Sequence, residues 1–94
     1  MKRLTDIVPG TSTNADALPL LLLLEESRDK KCVLRLSLRG SGPFSSSFLN
    51  SSLGTFMDVY GVEALKRTLV LAEYKESQKT MLLDYIKNYQ NLHC

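Results

Sequence analysis

The chain has 94 residues, of which 44% are apolar and 23% charged, and it carries a net charge of +2. A chain of this length holds one modest core, burying about 60–65% of its unfolded surface, and its near-average composition excludes global disorder and collagen-like repeats. The basic residues are scattered as Lys2-Arg3, Lys30-Lys31, Lys66-Arg67, Lys75, Lys79 and Lys87, mostly beside Asp29, Glu63, Glu73, Glu76 or Asp84, so the clustered basic face that nucleic-acid binding needs is missing.

In chain order, residues 3–8 alternate weakly and predict an edge strand, followed by a turn over 9–14. A helix is predicted over 16–28, with Asn14 or Asp16 as its cap and Pro19 in its first turn. On a helical wheel its leucines centre near Leu21 and Leu24. Leu22 and Leu23 then lie on the opposite flank, which makes them candidates for an interface. The apolar run is too short to span a membrane, for which about 20 residues are needed, and Glu25-Glu26 follows it in place of a signal cleavage site.

Residues 31–39 alternate with period two and predict a strand, with Cys32, Leu34, Leu36 and Leu38 on one face and Cys32 as a buried thiol. Residues 40–43 break it. A second helix is predicted from Ser45–Ser47 to Gly61, with Leu49, Leu53, Phe56, Met57 and Tyr60 as one stripe. Residues 63–67 form a connection with room for a short helical turn. Residues 68–72 predict a strand buried on both faces. The last helix opens at Glu76-Ser77 and has Leu82, Tyr85, Ile86, Tyr89 and Leu92 as its stripe. Strands alternating with helices predict an α/β fold with a mainly parallel or mixed sheet of about four strands flanked by three helices, in a single domain over 1–94.

Catalytic and metal constellations are not legible. There is no Cys-x-x-Cys pair, and His93-Cys94 supplies two ligands where a metal site needs three or four. A nucleophilic serine needs a base, and His93 is the only histidine. Gly40-x-Gly42 is too short for a dinucleotide fingerprint, and there is no phosphate-loop motif. The reading is therefore no enzyme, no cofactor, no metal, no nucleic acid and no membrane. Free thiols without a disulfide framework suit a reducing cytoplasm.

The stretch over residues 36–54 carries the most information: an apolar strand, Gly40, Ser45-Ser46-Ser47-Phe48 and then Leu53-Gly54. It resembles the STAS-like domains, bacterial relatives of the anti-anti-sigma-factor fold, over roughly residues 14–91, with residues 1–13 adding an edge strand and turn. Ser37, Leu38 and Ser51 depart from the acidic and aromatic residues usual at those positions. In the wider family the loop reads Asp-Ser-x-Gly with a phosphorylated Ser. By register that Ser is Ser46, with Ser45 in place of the Asp and Phe48 in place of the Gly.

The resemblance implies a non-catalytic regulatory module whose partner is a protein such as a histidine-kinase-type ATPase. Ser45, Ser46 and Ser47 are then the candidate phosphoacceptor or partner contacts, with Gly40, Gly42, Phe44 and Asn50 as further loop contacts. The alternatives are a self-associating homodimer formed through the Leu helix or a sheet edge, and a small nucleotide-binding protein using the loop over 40–47.

Overall fold

The computed structural model describes residues 2–92, apart from the side chain of Leu92; that side chain and the terminal His93-Cys94 pair lie outside the described residues. Lys2–Arg3 form β1, and Leu4–Ile7 coil at once into a single helical turn, α1. The edge strand expected over 3–8 is thus confined to its first residue and Lys2. Leu4 is 1% exposed and anchors the turn in the core. The helical turn buries Leu4 and, just beyond it, Val8 at 5% exposed, so both apolar ends of the segment reach the core without a strand between them.

Helix α2 spans Asn14–Asp29. Its cap is Thr13, whose side chain accepts the Asp16 amide, so the helix begins earlier than expected and Pro19 falls in its second turn. The proline ring leaves the Ala15 carbonyl without a ladder partner, a loss that exposed Ala15 can make good with water. Ala17, Leu20 and Leu24 are the buried face, which rotates the core stripe toward Leu20. Burying a leucine such as Leu20 or Leu24 contributes about 1.5–3 kcal/mol.

At its C-terminus the Cys32 amide donates to the Ser27 carbonyl and the Lys31 amide to the Arg28 carbonyl, the paired bonds of a Schellman ending. Lys31 takes the left-handed position of that motif, with φ 56. Glycine adopts this conformation freely, whereas a residue with a Cβ pays roughly 1–2 kcal/mol. The loop leaves Cys32 exposed, correcting the buried thiol expected there. Pairing starts only at Leu34, so Cys32 never joins the strand's buried row.

Strand β2 (Leu34–Ser37) is central and β3 (Leu69–Ala72) lies beside it, giving the order β1-β2-β3 with both pairings parallel. The sheet has three strands among the described residues, fewer than the four expected. Leu34 faces Leu69 and Leu36 faces Leu71 across the β2–β3 ladder. These four form the inner face; Leu34 and Leu36 are buried, and Leu69 and Leu71 pack partly buried against the core. Sequential parallel strands joined by right-handed crossovers place both connections on one side of the sheet.

The opposite face is open at Arg35 and at Val70, which is 44% exposed, and closes only at Ser37, which is fully buried. The expectation that β3 is buried on both faces is therefore corrected. Its apolar run reflects one helix-covered face and one bare face.

Between β2 and β3 the chain is helical from Ser46 to Thr68, broken at Gly61. Ser46–Leu49 form α3, Asn50–Gly54 make a π-helical turn, Thr55–Tyr60 form α4 and Val62–Thr68 form α5. Gly61, at φ 91, ends α4 as the sequence predicts. Residues 63–67, expected as a connection, lie within a full helix α5. Ser52 Oγ donates to the Phe48 carbonyl at 2.8 Å and Thr55 Oγ1 to the Asn50 carbonyl at 3.0 Å, so hydroxyls serve carbonyls where the ladder widens. Ser52, Leu53 and Gly54 are all buried. Three consecutive buried residues span more than one helical face, which fits a segment covered on two sides, by α2 and by α6 (Glu76–Leu92). A Cβ on Gly54 would lie 2.5 Å from Tyr85 Oη, so glycine leaves room for the Tyr85 hydroxyl.

Candidate functional site

The serine loop leaves the C-terminal end of β2 and is braced from three directions. Leu38 to Ser41 make a tight turn: the Ser41 amide donates to the Leu38 carbonyl at 3.1 Å, and Gly40 supplies φ 80 at the third position. Ser41 Oγ donates to the same carbonyl at 2.6 Å. From α6, Gln78 Nε2 donates to Ser41 Oγ at 3.0 Å, while Gln78 Oε1 accepts the Lys75 amide at 2.9 Å. Gln78 is 7% exposed, so both ends of its amide are used where an unpaired amide would be costly. Its reach back to the start of α6 is half of a capping box.

The segment before α2 is the second brace. Thr11 Oγ1 donates to the Pro43 carbonyl at 2.7 Å and the Ser45 amide to the Thr11 carbonyl at 3.0 Å. The third is apolar: Phe44, 6% exposed, stacks on Phe48 with ring centroids 5.9 Å apart. Phe44, expected as a loop contact, is thus a buried anchor. Gly42 has open space where a side chain would be.

The three serines divide their roles. Ser45 Oγ accepts the Phe48 amide at 3.1 Å as the N-cap, and donates to the Ser12 carbonyl at 2.8 Å. Ser46 and Ser47 are exposed in the first turn. Ser46 lines an open groove of about 630 Å³ between the serine turn and α6, shared with Leu49, Thr80, Met81, Asp84 and Asn88. Asn50 is exposed and its Oδ1 accepts the Tyr85 hydroxyl at 2.7 Å. Ser37, where the resembled family has an acid, is fully buried and accepts the Arg39 amide at 3.3 Å.

The two leucines singled out on α2 part company. Leu22 is 56% exposed, one turn from Leu18 at 54%, whereas Leu23 is partly buried against the core.

Tyrosine hydroxyls latch the helices here and at the far end of the sheet. Tyr85 reaches Asn50, Tyr89 donates to Asp58 Oδ1 at 2.5 Å and Tyr60 to Glu25 Oε2 at 3.0 Å. The bond to Asp58, then desolvation, pushes Tyr89 up to about 12. The bond to Glu25 raises Tyr60, and burial raises Tyr85. The folded state thus holds phenol protons that the unfolded chain releases sooner. Stability that is intact below pH 10 should fall as the pH rises from 10 toward about 12. Urea unfolding at stepped alkaline pH should show a shallower decline for Tyr89→Phe than for the wild type; parallel declines would exclude the Tyr89 latch as a source of the loss.

Sequence reasoning missed Gln78, Ser41 and the Thr11–Ser12 brace. Gln78 was findable, as Gln at the third position of a helix; the brace joins segments more than thirty residues apart and leaves no local signal.

A scan against protein-family models finds no match, and comparisons with curated proteins and with solved structures find none either. Among the described residues, no group of three or more His, Cys, Asp or Glu side chains could hold a metal ion, and no helix is long and apolar enough to cross a membrane.

Proposed function

We propose that the chain is a non-catalytic regulatory module that binds a protein partner through the first turn of α3 and the groove beside it. The observation that carries this reading is the division of labour among the serines. Ser45 alone caps the helix, leaving Ser46 and Ser47 exposed on a turn held rigid by Gln78, Thr11 and Phe44. A rigid backbone presenting small hydroxyls beside an open groove suits recognition, because little ordering entropy is lost on binding. The resemblance to STAS-like domains adds the partner class, a histidine-kinase-type ATPase, and makes Ser46 the candidate phosphoacceptor in a cytoplasmic setting. A phosphate on Ser46 would meet the unpaired amides of the helix N-terminus, and would bring about two negative charges to the docking surface.

Affinity capture from a lysate of the source organism, with wild-type and Ser46→Asp chains as paired baits, tests the reading. The helix dipole tolerates the new carboxylate, so stability should change by no more than about 1 kcal/mol. Affinity for the captured partner should fall at least tenfold, or about 1.4 kcal/mol. A partner that binds both baits equally well would rule out the serine surface.

Exposed Leu18 and Leu22, one turn apart on α2, favour a second reading as a homodimer. In that case Leu22→Glu should lower the mass seen by light scattering while circular dichroism stays unchanged. A wild type that is monomeric at high concentration removes this reading.

A further inference from the structure

We propose that the cleft at the opposite end of the sheet from the serine loop binds a small anion of the diphosphate class. It is a half-open cleft of about 560 Å³, within the range of roughly 300–1,000 Å³ usual for small-molecule sites. The cleft lies where α2 and α5 end and the chain turns into β2 and β3. Arg28, Lys31 and Arg67 line it against one carboxylate, Asp29, together with Tyr60 and Thr68.

The cations are arranged unequally. Arg28 is committed: its guanidinium sits 4.1 Å above the Tyr60 ring and its Nη1 lies 3.4 Å from Asp29 Oδ1. The Tyr60 hydroxyl is in turn tied to Glu25, which fixes the ring under the arginine. Lys31 and Arg67, both exposed, line the cleft and form no ion pair or side-chain hydrogen bond with a described residue, so two unpaired charges stand at its rim. An arginine fork and a lysine point charge are the pair that phosphate oxygens take up.

Lys31 adds a second, independent reason. It occupies the left-handed position that ends α2, where glycine is the unstrained choice, and it is one of the residues lining the cleft. A local rule broken without gain in packing points to a use elsewhere. Cations also complement helix C-termini, and α2 and α5 both end here. The experiment must therefore separate service to the helix ends from ligand binding.

Inorganic pyrophosphate titrated into the full chain at constant ionic strength, followed by amide NMR, should give saturable shifts at Lys31, Cys32, Arg67 and Thr68. Sulfate at the same ionic strength should not. Arg67→Met should weaken pyrophosphate at least about tenfold with the melting temperature unchanged. Lys31→Gly should raise the melting temperature while weakening pyrophosphate, a combination that a purely structural lysine cannot produce. Absent saturation in the millimolar range, equal shifts with sulfate, or a Lys31→Gly chain that gains stability and binds as before would each overturn the proposal.

Discussion

Replacing Phe56 by alanine should cost about 3–5 kcal/mol of folding stability, as expected for a large aromatic removed from a packed core. Phe56 is 0% exposed and packs against Tyr60 with ring centroids 4.8 Å apart. Tyr60 also carries the Arg28 guanidinium and bonds Glu25, so the cavity would loosen contacts from α4 to the end of α2. A domain of this size has only about 5–14 kcal/mol in all. The loss should therefore appear as a lower urea midpoint and a melting temperature lowered by roughly 15 °C or more. A midpoint within error of the wild type would mean that α4 is rotated from the register described.

Leu53→Ala should cost about 2–5 kcal/mol, at the upper part of that range. Leu53 is 2% exposed and stands in the π-helical turn, facing Leu4, Leu20, Leu36, Phe48 and Leu82 around a small apolar void of about 20 Å³. Truncation would enlarge an existing void. Its walls belong to the sheet and four separate helices, so they cannot collapse together without breaking other contacts. Chemical unfolding with an unchanged slope would read out the full loss. A cost below about half a kcal/mol would show that Leu53 does not face the core.

Much of this was legible locally. The alternation from Leu34 to Leu38 identified the central strand, and the stripe ending at Tyr60-Gly61 identified the long helical segment and its stop. The misreadings share a cause: each depended on what lies across the molecule. Residues 69–72 read as doubly buried because an apolar run does not say how many of its faces a helix covers. Cys32 read as buried because the alternation begins two residues before the point where pairing starts. Leu23 faces inward because the neighbours of α2 select Leu20 over Leu21 as the centre of its buried face. The π turn was not legible, because Leu49, Leu53, Phe56, Met57 and Tyr60 keep α-helical spacing straight through it.

At the candidate site, the three serines were visible as a group but not their separate employments. Which serine caps is decided by where the helix starts, and that start is set by bonds to Thr11 and Ser12, more than thirty residues upstream.

The π turn over Asn50–Gly54 also sets a direction. An i→i+5 ring holds one residue more than an α turn, and one residue is about 100° of rotation about the helix axis. The serine turn lies before this extra residue; Phe56 and Met57, which lock α4 into the core, lie after it. The azimuth at which Ser46 meets the groove is thus set by chain length between two fixed points. Homologues lacking one residue between 50 and 54 would keep the helix and its core contacts while turning a different residue of the first turn toward α6. In an alignment of relatives, a gap there would mark a re-aimed first turn more clearly than any substitution among the serines themselves.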